Sequence, residues 1–206
     1  YSGSGNYLSF TNNNNTSSAA VIWVYSENAS NPATNVTIRN CIVTGGGSTT
    51  LGGIVFSGST LGGVAEADNT NAKILFNQVR KAQYGIALVG NSAGQTNSEV
   101  SNNNVGSTTP ADKISFVGMF ISNQQDCQVS NNTVIGLSSS ASNSSAAGIS
   151  IAGVSLNSVV NANEIADIKN TNTGGWGATG ILLSSSTTNT NLRVSNNVIY
   201  DIAGYG

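Results

Sequence analysis

A six-residue cassette recurs six times along this chain, and its fourth residue is always asparagine. In each copy the asparagine follows a strand-forming residue by three positions and precedes an aliphatic residue by two. The copies occupy residues 37–42, 74–79, 100–105, 129–134, 160–165 and 194–199. Their asparagines are Asn40, Asn77, Asn103, Asn132, Asn163 and Asn197, spaced by 26 to 37 residues. A fixed cassette at such a period predicts a repeat architecture in which each repeat contributes one structural unit.

A second cassette recurs between the copies of the first. Here a glycine opens a short apolar strand, and successive glycines are 30 to 33 residues apart. The copies are residues 53–56, 85–88, 118–121, 148–151 and 180–183, and residues 20–24 form an earlier, imperfect copy. Because the two cassettes keep the same order in every unit, one pair defines one coil of a solenoid, with loops of variable length between them.

Composition and periodicity predict an all-β chain. Charged residues are only 8% of the sequence and hydrophobic residues 38%, and the apolar residues alternate with polar ones in short runs. Alternation with period two is typical of strands, and no stretch shows the three-to-four-residue spacing of an amphipathic helix. No apolar run approaches the roughly 20 residues that a membrane helix needs, so no membrane insertion is predicted.

The asparagines of the first cassette are predicted to be structural. Asparagine tolerates the positive φ angles of sharp corners better than most residues, second only to glycine. If coils stack at about 4.8 Å, equivalent asparagines lie above one another and their amides form a hydrogen-bonded ladder. We therefore expect Asn40, Asn77, Asn103, Asn132, Asn163 and Asn197 to belong to the scaffold and to take no part in catalysis.

The two cassettes, G-I-x-I and V-x-x-N-x-V, resemble the parallel β-helix repeats of the pectin-lyase-like superfamily. The resemblance covers residues 20–202 and implies a right-handed parallel β-helix of about six coils. That superfamily contains lyases, hydrolases, tailspikes and adhesins, so the likeness alone does not select an activity. The asparagine-rich, serine-rich, low-charge composition is also similar to that of large secreted surface proteins of bacteria with type IX secretion. This second likeness implies a secreted or cell-surface location.

The predicted coil has two apolar columns and open ends. Alternation sends two residues of each glycine cassette inward, and the last residue of each asparagine cassette lines a second interior face. The predicted interior residues are Ile54, Phe56, Ile86, Leu88, Met119, Ile121, Ile149, Ile151, Ile181, Leu183, Val79, Val105, Val134, Ile165 and Ile199. Terminal coils of a solenoid need caps, and none is evident. Residues 1–206 are thus expected to be one β-helix segment of a longer rod, with 1–19 a partial or irregular first coil.

Catalytic chemistry finds little support in the sequence. The chain has no histidine, and its nine acidic residues are scattered. Asp167 and Asp201 each follow a cassette asparagine by four positions, so they are expected to stack on adjacent coils, either around a cation or as solvated turn residues. No triad of acids recurs at coil spacing, so neither a catalytic residue, a metal nor a cofactor is predicted. With a net charge of −2, the chain lacks the basic surface of a nucleic-acid-binding protein.

Binding is the favoured function, through aromatic residues in loops. Trp176 lies in a glycine-rich loop with little apolar sequence around it, and Tyr84, Tyr200 and Tyr205 are further candidates. A flat apolar face with a polar edge suits a sugar ring, although Trp176 folding back onto its own coil is an open alternative. We expect a non-catalytic bacterial stalk or adhesin whose partners are surface glycans, other surface proteins or secretion machinery. The rival is a fragment of a polysaccharide lyase or glycoside hydrolase whose active site lies mostly outside this segment.

Overall fold

The chain forms a right-handed parallel β-helix of about six turns, in a computed structural model that describes residues 8–204. Every pairing between named strands is parallel, and each complete coil contributes one strand to each of three sheets. The predicted fold class is therefore confirmed. In the part of the chain that the structure describes, no helix is long and apolar enough to cross a membrane.

The three sheets are named here I, II and III, and their strands are numbered in chain order. Sheet I contains β1 (Leu8–Thr11), β4 (Cys41–Thr44), β7 (Gln78–Arg80), β11 (Asn104–Val105), β15 (Thr133–Ser139), β18 (Glu164–Asn170) and β21 (Val198–Gly204). Sheet II contains β2 (Ala20–Tyr25), β5 (Gly52–Ser57), β8 (Tyr84–Val89), β12 (Val117–Ser122), β16 (Ala146–Gly153) and β19 (Ala178–Ser185). Sheet III contains β3 (Thr37–Arg39), β6 (Lys73–Leu75), β10 (Glu99–Ser101), β14 (Gln128–Ser130), β17 (Val159–Asn161) and β20 (Arg193–Ser195). A short pair, β9 (Gln95–Thr96) with β13 (Gln124–Gln125), and a 3₁₀ turn, Pro110–Asp112, complete the described elements.

Glycine cassettes form sheet II, and asparagine cassettes form the corner between sheets III and I. The predicted interior columns are fully buried through the middle coils, from Ile54 and Phe56 to Ile149 and Ile151. Two side chains of the last described coil stay in the same interior columns but are not covered: Leu183 aligns with Ile151 and Ile199 with Ile165. Leu183 is 48% exposed and Ile199 44% exposed, because among the described residues their strands pair with a coil on one side only.

The cassette glycines serve close packing rather than a left-handed backbone. None of them has a positive φ angle. A Cβ added to Gly85 would lie 2.3 Å from Val105 Cγ1, and one added to Gly118 would lie 2.4 Å from Val134 Cγ1. A side chain at these glycines would therefore displace the aliphatic side chain that fills the coil from sheet I, which explains why the cassette opens on glycine in coil after coil.

Five of the six cassette asparagines form a continuous stack inside the corner. In the first four of them, the side-chain Nδ2 donates to the Oδ1 of the asparagine in the next coil at 2.9–3.0 Å. The stack consists of Asn77, Asn103, Asn132, Asn163 and Asn197. The Oδ1 atom that accepts from the side chain also accepts the backbone N–H of the same asparagine, one coil earlier in the stack. Buried amides that hydrogen-bond in this way satisfy their own polar atoms and those of the neighbouring backbone.

Asn40 is not a member of this stack, which corrects the sequence prediction. The strand register aligns Asn40 with Phe76 and Cys41 with Asn77. Asn40 and Phe76 both have φ of 56°, so Asn40 occupies the corner that precedes the stack. Cys41 takes the stack position, where its Sγ–H donates to Arg39 O at 3.1 Å and its N–H donates to Asn77 Oδ1 at 3.0 Å.

The left-handed corner belongs to the residue before each stacked asparagine. These corner residues have φ of 54° to 58° and are Phe76, Asn102, Asn131, Ala162 and Asn196. The stacked asparagines therefore do not use their tolerance of positive φ, contrary to the prediction from sequence. Their hydrogen-bonding capacity alone accounts for their presence.

Candidate functional site

The outer face of sheet II carries an aromatic residue between small ones. Strand alternation turns Phe120 of β12 outward, and the register places Ala87 of β8 and Ser150 of β16 on either side of it. Leu182 of β19 follows Ser150 in the same row. Because the small neighbours do not fill the space beside the Phe120 ring, the sheet surface is hollowed there.

An aromatic cluster forms the wall of this hollow. The Tyr84 ring meets Phe116 edge to face, with centroids 5.5 Å apart at 88°, and lies 5.6 Å from the Phe120 ring. Such edge and tilted contacts are favoured by the ring quadrupoles and hold the three rings in place. Burial raises the pKa of the Tyr84 phenol, and its hydroxyl gives this wall a polar group that can donate or accept a hydrogen bond.

Trp176 reaches the same hollow from the loop between β18 and β19. The loop is fixed by Asn170, whose side chain is fully buried and donates to Gly177 O at 3.2 Å and Ala141 O at 3.3 Å. Asn172 Oδ1 in turn accepts the Gly174 N–H at 2.6 Å. Trp176 is 41% exposed and lines the hollow together with Leu182 and Ser184 of β19, the strand that follows its loop.

Two adjoining hollows result. The aromatic hollow encloses about 350 Å³ and is lined chiefly by Tyr84, Phe116, Phe120, Trp176 and Leu182. The hydroxyl hollow encloses about 570 Å³ and is lined chiefly by Thr49, Ser115, Ser138, Ser139, Ser140 and Asn143. Tyr84, Phe116 and Ser144 line both. The two hollows therefore form one groove on the outside of the rod.

The structure brings together only two of the aromatic residues singled out from sequence. Trp176 and Tyr84 share the groove, whereas Tyr200 lies on β21 in sheet I and lines neither hollow. The Tyr200 hydroxyl donates to Glu164 Oε1 at 2.8 Å, and this hydrogen bond raises its pKa. Tyr200 therefore does not contribute to this groove, because it lies on sheet I whereas Tyr84 lies on sheet II. Tyr205 lies outside the described residues.

The stacked acids predicted from sequence are present, but each has a lysine. Asp167 and Asp201 occupy matching positions in β18 and β21. Lys113 Nζ lies 2.6 Å from Asp167 Oδ2, and Lys169 Nζ pairs with Asp201 Oδ1. The ammonium groups already balance both carboxylates, which leaves no reason to place a cation between them. No group of three potential metal ligands occurs within residues 8–204.

Glu66 is the acid whose ionisation is most perturbed, and it organises a surface loop. Its carboxylate accepts the Ser59 N–H at 3.1 Å, the Ser59 hydroxyl at 2.7 Å and the Ser26 hydroxyl at 2.9 Å. These hydrogen bonds, led by the Ser59 hydroxyl, lower the pKa of Glu66 to about 2. Glu66 does not line the groove, so its role is to fix the loop that precedes it.

Phe116 and Phe120 are the groove residues that sequence reasoning missed. Phe120 occupies the third position of a glycine cassette, which alternation turns outward, so a signal for it existed. Phe116 directly precedes β12 and reaches Tyr84 only because the two coils stack in register.

No family model, no curated protein and no solved structure matches the chain.

Proposed function

We propose that this chain is a non-catalytic segment of a secreted or cell-surface bacterial stalk or adhesin, and that it binds a glycan in the groove on sheet II. The observation that carries the proposal is that Tyr84 and Trp176 line the same aromatic hollow. Membership of the pectin-lyase-like superfamily belongs to the same proposal and rests on the G-I-x-I and V-x-x-N-x-V cassettes. The likeness to secreted surface proteins supports the location.

The chemistry of the groove suits sugars. The C–H face of a sugar ring packs on aromatic rings, which remain partly exposed at Trp176 and Tyr84. Sugar hydroxyls both donate and accept hydrogen bonds, as do the serine and threonine hydroxyls of the adjoining hollow. Tyr84 and Phe120 stand on a rigid, hydrogen-bonded sheet, so little conformational entropy is lost when a ligand orders these two rings.

The rival function, a polysaccharide-degrading fragment, receives no support from the groove. Glycoside hydrolysis uses two carboxyl groups facing the scissile bond, roughly 5 to 10 Å apart. Among the described residues that line the two hollows, none is acidic. The groove is thus built for retention of a ligand rather than for its cleavage. Other surface proteins and the export machinery remain proposed partners for the rest of the rod.

A glycan-array screen with two matched tryptophan variants tests the proposal. Trp176→Ala is expected to weaken binding about tenfold or more, the effect of losing roughly one stacking interaction. Trp23→Ala is the control, because Trp23 is similarly exposed, at 38%, but lies outside both hollows. Absence of glycan binding by the parent protein, or equal losses in the two variants, would overturn the proposal.

A further inference from the structure

The two hollows are continuous, and their combined length constrains the ligand. The hydroxyl hollow begins at Ser48 and Thr49, just before β5, and the aromatic hollow ends at Leu182 and Ser184 on β19. From β5 to β19 the groove crosses β8, β12 and β16, which is four coil steps. At about 4.8 Å per step the groove extends roughly 19 Å along the rod. A chain of several sugar rings, lying parallel to the rod axis, fits this shape better than a single ring.

The groove carries no charged side chain. Within the described part of the protein, every residue that lines either hollow has an aromatic, aliphatic, hydroxyl or amide side chain. A uronic acid placed here would give up part of its hydration without gaining a cationic partner, which is costly for a carboxylate. Neutral sugars carry no such cost.

The hydroxyl hollow supplies hydrogen bonds in a defined arrangement. Ser115 Oγ donates to Ser48 O at 2.6 Å, so its hydrogen is engaged and its lone pairs are directed to a ligand donor. Ser138 and Ser140 are exposed, and the pairing of Ile114 with Leu137 places Ser138 beside Ser115. Each of these two hydroxyls can donate and accept, as the successive hydroxyls of a sugar chain require.

The geometry points to a neutral, unbranched oligosaccharide as the ligand, stacked on Trp176 at the β19 end of the groove and hydrogen-bonded to Ser48 at the β5 end, with Tyr84, Ser138 and Ser140 between them. This inference rests on the proposed function and specifies its ligand class. It makes two demands beyond glycan binding. Affinity must rise with chain length until both hollows are filled, and uronic acid chains of equal length must bind more weakly.

Calorimetric titration with two oligosaccharide series tests both demands. The neutral probes are cello-, manno- and xylo-oligosaccharides of two to eight units, and the acidic probes are oligogalacturonates of the same lengths, all with chelator present. At least one neutral series is expected to gain affinity with length and to bind tenfold or more tightly than the acidic series. Equal or tighter binding of the oligogalacturonates, or affinity independent of length, overturns the inference.

A serine variant locates the second subsite. Ser48→Ala, at the exposed β5 end of the groove, is expected to weaken binding of the longest neutral ligand about fivefold, the worth of roughly one neutral hydrogen bond, and to leave the shortest ligand unaffected. Ser92→Ala, at an exposed serine outside the groove, is the control. Equal losses for short and long ligands overturn the two-subsite arrangement. If no glycan of any kind binds the parent, the proposed function itself fails, and the two failures are thereby distinguished.

Discussion

Removal of one amide from the middle of the asparagine stack has a calculable cost. The Asn132 side chain takes part in four hydrogen bonds. Its Nδ2 donates to Val100 O at 2.8 Å and to Asn163 Oδ1 at 3.0 Å, and its Oδ1 accepts from Asn103 N at 2.9 Å and Asn103 Nδ2 at 3.0 Å. At a net value of about 1 kcal/mol for each bond, Asn132→Ala is expected to lower the free energy of unfolding by about 4 kcal/mol.

The loss follows from burial as well as from the number of bonds. Asn132 is only 1% exposed, so water cannot replace the amide, and the Asn103 N–H is left without an acceptor in the interior. Asn104→Ala is the matched control, since Asn104 is the next asparagine along the chain but points to solvent. Its expected effect is within about 0.5 kcal/mol.

Urea denaturation of the parent and both variants, followed by circular dichroism, measures the difference. Solenoids do not always unfold in a single step, so the midpoint shift is interpreted only where the transition slope is unchanged. A loss below about 1 kcal/mol for Asn132→Ala, or an equal loss for Asn104→Ala, would refute the view that the stack stabilises the coil.

Three further predictions concern other parts of the rod. Cys41→Asn is expected to stabilise the fold by about 1 kcal/mol relative to Cys41→Ala, because an amide there can donate to Asn77 Oδ1; equal urea midpoints would contradict this. Glu66 has a lowered pKa, so its hydrogen bonds to Ser59 stabilise the loop at pH values above its unfolded pKa, and that stability is lost as pH falls through about 2. The carboxyl ¹³C shift is expected to titrate near that value, and a midpoint near 4.5, the ordinary value for glutamate, would be inconsistent with the described contacts. Gln124→Met is expected to leave stability unchanged or raised, since the buried Gln124 Oε1 has no hydrogen-bond partner; a loss above about 2 kcal/mol by urea denaturation would exclude this account.

The β-helix itself was predictable because two local signals agree with each other. Period-two alternation fixes which side chains face inward, and the repeated order of cassettes fixes how coils stack. The prediction fails at Asn40 because the cassette pattern aligns Asn40 with Asn77, whereas the strand register aligns it with Phe76. Asparagine serves in this fold both as a left-handed corner and as a stacked amide, and one Asn-Cys pair stands where other coils have a corner residue followed by asparagine. Only the strand register reveals which role Asn40 plays.

The groove was only half predictable. Trp176 and Tyr84 were identified because an aromatic residue near loops and strand starts is unusual in this polar sequence. Their meeting with Phe116 and Phe120 depends on lateral alignment across coils, which the varying loop lengths obscure. The same variation concealed that Tyr200 lies on a different sheet, where it bonds Glu164.

Fluorescence titration of Trp176 tests the central claim most directly. The chain has two tryptophans, so Trp23→Phe leaves Trp176 as the only one, and Trp176→Phe provides the complementary control. With the neutral oligosaccharide series as titrant, the account predicts a saturable change in Trp176 emission in the first variant and no change in the second. Binding that leaves the Trp176 emission unaltered, or no binding by any member of the series, would contradict the claim that this groove is the glycan site.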